Sequence, residues 1–183
     1  MTASALWRRL DAPGHDACVL EELNTGWRLK GMAVFRHEGV AAQLAYEVSC
    51  DRAWHSQEAR VSGWLDTQPA DFHIARVGQG SWTLNGRRVL QVQGCVDVDL
   101  SFTPATNLFQ LRRLALTEGQ AADAPAAWLD LSRKTLSLLP QRYERRTDTT
   151  YRYAAPTTGY AANLQVTPLG FVRQYPRLWK LDE

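Results

Sequence analysis

Cysteine is scarce in this chain: Cys18, Cys50 and Cys95 are three among 183 residues, odd in number and irregular in spacing. That pattern argues against a disulfide framework. With reduced thiols, the expected compartment is the cytoplasm. Histidine is scarcer in the second half than in the first, with none after His73, which leaves a haem site there hard to build. The nearest approach to metal-ligand spacing is His15-x-x-Cys18, and no similar pair lies close by. Neither a metal nor any other cofactor is expected. Lysine is also rare, since 18 of the 21 basic residues are arginine. The net charge of +2 is too small to imply a nucleic-acid or anionic-membrane partner.

Other absences narrow the function. No apolar run is long enough for a transmembrane helix. The opening Met-Thr-Ala-Ser-Ala-Leu-Trp-Arg-Arg-Leu lacks the sustained apolar stretch of a signal peptide. There is no Gly-x-Ser-x-Gly elbow, phosphate loop or dinucleotide fingerprint. Gly78-Gln-Gly80 leads into Ser-Trp rather than a third glycine, so it reads as a turn. Cys95 reads as a structural thiol inside a strand. No residue is assigned a catalytic role on these grounds.

Short alternating segments are what the chain does contain. Leu44, Tyr46, Val48 and Cys50 fall on one face of a strand and Glu47 with Ser49 on the other. Arg60–Leu65, Tyr151–Tyr153, Leu164–Val166 and Phe171–Val172 continue the pattern. Asn85-Gly86 is a hairpin signal, because both residues tolerate positive φ. Between Thr117 and Gln141, Asp123 and Pro125 could open a helix, but Trp128–Leu131 and Leu136–Leu138 alternate, which favours strands. The expectation is one all-β domain over residues 1–183, a large curved antiparallel sheet in a part-closed barrel or roll with few short helices. Seven tryptophans and six tyrosines suit such half-buried surfaces, and could also line a pocket for sugar rings or acyl chains.

Polar chemistry concentrates between Gly94 and Leu114. Val96, Val98, Leu100 and Phe102 point one way; Cys95, Asp97, Asp99 and Ser101 point the other. Two carboxylates on one face need water, a partner or a cavity. Thr103-Pro104 stops the ladder, Asn107 can close a turn, and Arg112-Arg113 follow. Three roles fit the aspartates: solvated or paired with Arg112 or Arg113, lining a pocket, or acid–base chemistry at the separation of about 6.5–7 Å that alternate strand residues have.

The run from Gly94 to Asn107 with Arg112-Arg113-Leu114 resembles the bacterial family labelled putative glycolipid-binding, formerly a domain of unknown function. Ser49-Cys50-Asp51 with Trp54, Gly80-Ser81-Trp82, Gln141-x-Tyr143, Tyr151-Arg-Tyr153 and Gly170-Phe171-Val172 through Tyr175-Pro176 extend the resemblance over nearly the whole chain. Where the family reads Leu-Pro-Ile before the arginines, this chain has Phe109-Gln110-Leu111, which predicts a more regular local edge. The resemblance implies a part-closed β-roll similar to the carriers that ferry lipoproteins across the bacterial envelope and hold acyl chains in an apolar concavity.

The expected ligand is therefore a small glycolipid-like amphiphile, with Asp97, Asp99, Asn107, Arg112, Arg113, Trp54 and Tyr143 as its candidate contacts at a polar rim. The alternatives are a small-molecule enzyme using Asp97 or Asp99 as acid or base, or a protein-interaction module with an open sheet edge. A large apolar cavity would favour the carrier and a narrow polar cleft at the aspartates the enzyme. The sequence leaves oligomeric state open.

Overall fold

The computed structural model describes residues 2–78 and 80–182. The first strands form a meander: β1 (Thr2–Arg9), β2 (Gly14–Leu23), β3 (Gly26–His37), β4 (Val40–Asp51), β5 (Ser56–Leu65), β6 (Gln68–Val77), β7 (Ser81–Leu84) and β8 (Arg87–Val89). There follow β9 (Asp97–Leu100), α1 (Asn107–Leu114), β10 (Ala121–Asp123), β11 (Ala126–Asp130) and β12 (Thr135–Leu139). The chain ends with β13 (Arg142–Arg145), β14 (Thr150–Ala155), β15 (Tyr160–Val166), β16 (Val172–Tyr175) and β17 (Trp179–Leu181). Fourteen strands make one curved antiparallel sheet in the order β10-β13-β14-β15-β16-β17-β1-β2-β3-β4-β5-β6-β7-β8, which does not close into a barrel. The sheet is joined across the chain ends, where Trp7 faces Leu181 and Arg9 faces Trp179. Trp7 Nε1 reinforces that seam by donating to the Val172 carbonyl at 2.6 Å.

Alternation builds these strands as the sequence predicts. Along β4, Ala42, Leu44, Tyr46, Val48 and Cys50 are buried while the residues between them are partly exposed. Asn85 and Gly86 turn β7 into β8 with φ of 50° and 77°. The Thr117–Gln141 stretch holds β10, β11 and β12, so its alternation outweighs its helix signals. All three cysteines are free and buried. No helix of the described residues is long and apolar enough to cross a membrane.

A second sheet, β12-β11-β9, and α1 lie inside the curve of the first. Residues 102–111 are buried without interruption. The inner segment is tied to strands spread around the large sheet. Trp82 Nε1 donates to the Cys95 carbonyl at 2.9 Å, the Ser56 hydroxyl accepts from Val98 N–H at 3.2 Å, and Phe102 stacks on Phe35. On the other arm, Asn107 Nδ2 donates to Tyr143 Oη at 2.7 Å. The concave face is thus filled by the protein's own side chains, including Leu100, Phe102, Leu108 and Phe109. Phe109-Gln110-Leu111 lie in α1, a correction to the regular edge expected there: without proline, these residues keep the N–H groups a helix needs.

One anchor is unusual. Asp16 on β2 is fully buried, and its carboxyl accepts from the hydroxyls of Tyr46 at 3.0 Å and Thr103 at 2.5 Å. Tyr46 reaches it by crossing Gly31 on β3, where an added Cβ would lie 2.3 Å from the ring. Burial pushes the Asp16 carboxyl up from 3.8 to about 7, and the two hydroxyls only partly offset it. An acid that holds its proton more tightly when folded stabilises the fold at low pH. That contribution fades as pH rises from about 4 and is gone above about 7. Asp16→Asn should therefore gain stability relative to wild type, by a few kcal/mol, as urea midpoints are followed from pH 4 to pH 8. A gap that stays constant with pH would contradict this assignment.

Candidate functional site

The inner strand β9 sets Asp97 and Asp99 on one face, and β11 runs parallel to it with Ala126 opposite Asp97 and Trp128 opposite Asp99. Both aspartates are interior, at 0% and 8% exposure, rather than on a rim. The alternation that made this look like a half-wet strand is real. The large sheet covers the polar face as well, so all four residues of β9 are buried.

Each carboxyl meets burial differently. Asp97 takes both forks of Arg113, Nε at 3.0 Å and Nη2 at 2.6 Å. Burial raises its carboxyl, while the Arg113 guanidinium, with His55 and Arg76 further off, pulls it back. The last turn of α1 delivers that arginine, and its neighbour Arg112 turns the other way. Arg112 lies 5.1 Å from the ring of Trp54, which stacks on Trp27 at 4.5 Å. Among the described residues, no cation pairs with Asp99. Its Oδ2 accepts from Gln141 Nε2 at 2.8 Å, and burial, helped by the Asp97 charge, pushes its carboxyl up to about 6.

Asp99 lines a cleft of about 280 Å³ between the inner sheet and the last strands of the large one. Asn107, Trp128, Tyr153, Tyr160, Tyr175 and Trp179 form much of its wall. The pairing of β14, β15 and β16 brings the tyrosines together. Tyr160 and Tyr175 stack with centroids 5.2 Å apart, and Tyr153 lies 5.6 Å from Tyr175 and 6.0 Å from Tyr160. Tyr160 Oη is fixed by the Pro176 carbonyl at 2.6 Å. Burial raises the phenols of Tyr153, Tyr160 and Tyr175, so they act as hydrogen-bonding hydroxyls and ring faces rather than as charges. A ligand here would meet one carboxyl, the Asn107 amide and several aromatic faces.

The seven sequence candidates divide accordingly. Asp99 and Asn107 line the cleft, and Tyr143 stands behind Asn107 as its hydrogen-bond partner. Asp97 and Arg113 hold each other. Trp54 and Arg112 line a separate cleft of about 380 Å³ with Arg145 and Tyr151. Trp128, Tyr153, Tyr160, Tyr175 and Trp179 also line the cleft and were not among the sequence candidates. The Tyr151-Arg-Tyr153 alternation was visible, but nothing local shows that β14, β15 and β16 bring these rings to Asp99. Among the described residues, no cluster of three or more histidine, cysteine or carboxylate side chains could hold a metal ion.

The sequence model of the family described as "Putative glycolipid-binding" matches residues 4–180. The crystal structure of a DUF1089 family protein from Pseudomonas aeruginosa superposes with a TM-score of 0.80 at 27% identity, covering 91% of each chain. No curated protein matches the chain.

The Asp97–Arg113 pair has a measurable consequence. Arg113→Ala leaves a fully buried carboxylate without its cation and should cost about 3–5 kcal/mol in urea unfolding. Asp97→Leu combined with Arg113→Met, which removes both charges, should recover most of it. A loss below about 1 kcal/mol for the single variant would show that the pair contributes no more than a surface ion pair.

Proposed function

Since this chain belongs to the family described as putative glycolipid-binding, we propose that it binds the polar head group of a small amphiphile in the Asp99 cleft. One observation carries the reading: a nearly buried carboxyl with a single hydrogen bond faces a cleft walled by tyrosine and tryptophan. Sugar hydroxyls donate to a carboxylate, and the C–H faces of the ring lie against aromatic faces. The volume suits a head group rather than a long acyl chain. The filled interior favours a tail that lies outside it, unlike the tail of a carrier with an open concavity. Asp97, committed to Arg113, has a structural part in this reading.

A second reading rests on the raised Asp99 carboxyl, which at about 6 is suited to proton transfer near neutrality. In that case Asp99 is the acid or base, and Asp97 is not.

Calorimetric titration with hexyl β-glucoside tests the first reading. Saturable binding is expected, Tyr160→Ala should weaken it about tenfold or more, and Arg112→Met should leave it unchanged. Binding that ignores Tyr160→Ala but is lost with Arg112→Met would move the site to the neighbouring cleft. Hydrolysis of the glucoside that stops with Asp99→Asn would establish the second reading.

A further inference from the structure

We propose that the head group selected by this cleft carries a protonated amine, as in an amino sugar. The inference rests on the head-group reading above and adds the chemical class that the site prefers.

Among the described residues, Asp99 is the sole charged side chain lining the cleft, although the chain carries 21 lysines and arginines. Arg113 already gives both forks to Asp97, and Arg177 packs on the ring of Tyr160 without lining the cleft. A phosphate or carboxylate head group would therefore meet a carboxylate with no compensating cation among the side chains that line the cleft. An ammonium would repay part of the cost of burying that carboxylate.

Acceptors near the carboxylate are short of partners. Asp99 uses one oxygen on Gln141, and its other oxygen takes no hydrogen bond among the described residues. Gln141 is 2% exposed, spends its amide nitrogen on Asp99, and leaves its own Oε1 without a partner. Asn107 gives one N–H of its amide to Tyr143 Oη. Beside the tyrosine hydroxyls, the second Asp99 oxygen and Gln141 Oε1 are acceptors, and an ammonium brings three donors.

The aromatic wall also suits a cation. Ring faces attract a cation within about 6 Å of their centroids. Tyr160 already accepts one, because Arg177, which is not part of the cleft lining, sits 5.5 Å from its centroid. Tyr153, Tyr160 and Tyr175 crowd together beside the carboxylate, combining ring faces with a negative charge.

Calorimetric titration of the wild-type protein with glucosamine, N-acetylglucosamine, glucose and glucose 6-phosphate at pH 6.5 tests the inference. Glucosamine should bind about tenfold tighter than glucose or its N-acetyl analogue, and glucose 6-phosphate weakest. Asp99→Asn should bring glucosamine down to the level of glucose. Should that variant melt early, the wild-type ranking and Tyr160→Leu, expected to weaken glucosamine more than glucose, decide the matter. Equal binding of glucosamine and glucose overturns the amine while leaving the head-group reading intact. Binding of none of the four sugars overturns both.

Discussion

Burying a strand that carries two carboxylates on one face is the constraint from which the rest of this structure follows. β9 lies inside the curve of the fourteen-stranded sheet, covered on both faces. Each acid there must find a cation, hydrogen bonds or a proton. Asp97 finds Arg113, which requires a helix to follow β9 within a few residues and to end near where it began. That return requires the stop at Thr103-Pro104, and Thr103 in turn is held by the buried Asp16 beneath Tyr46. One interior segment thus depends on three buried acids resolved in three ways: an ion pair, a pair of hydroxyls, and a single amide. Only the last leaves capacity for something from outside.

This resolution also decides which cavities stay open. Had the concavity been empty, an acyl chain would have had a natural place in it. It is instead occupied by the inner sheet and α1, with Phe102 and Phe109 fully buried. Concave space that remains near the aspartates lies at the seam where the inner sheet meets β14 to β17. There the strand pairing stacks Tyr160 on Tyr175 and places both with Trp128 around Asp99.

The sequence made the outer sheet legible because its strands are half-buried, and period-two alternation reports that directly. Leu44 to Cys50 and the Asn85-Gly86 turn are examples. The family resemblance carried the topology further than periodicity alone does. Periodicity cannot say what covers a strand, so Asp97 and Asp99 read as a rim although they lie inside. The helix at Asn107–Leu114 was hidden for a related reason. It is two turns long and its first five residues are buried in succession, polar Asn107 and Gln110 included, so it is too short for periodicity to establish. The arginine pair was noticed, but consecutive helical residues diverge in direction. Arg113 went inward and Arg112 outward over Trp54. The tyrosine cluster depends on strand pairing between residues 143 and 175, which no local pattern encodes.

The central claim is that ligand enters at the Asp99 seam while the interior segment stays in place. A crystal structure of the protein soaked with an alkyl glucoside tests it most directly. The account predicts a sugar ring against Tyr160 and Tyr175 within hydrogen-bond reach of Asp99, with residues 102–111 unmoved. A ligand seated between the large sheet and a displaced α1 would contradict it.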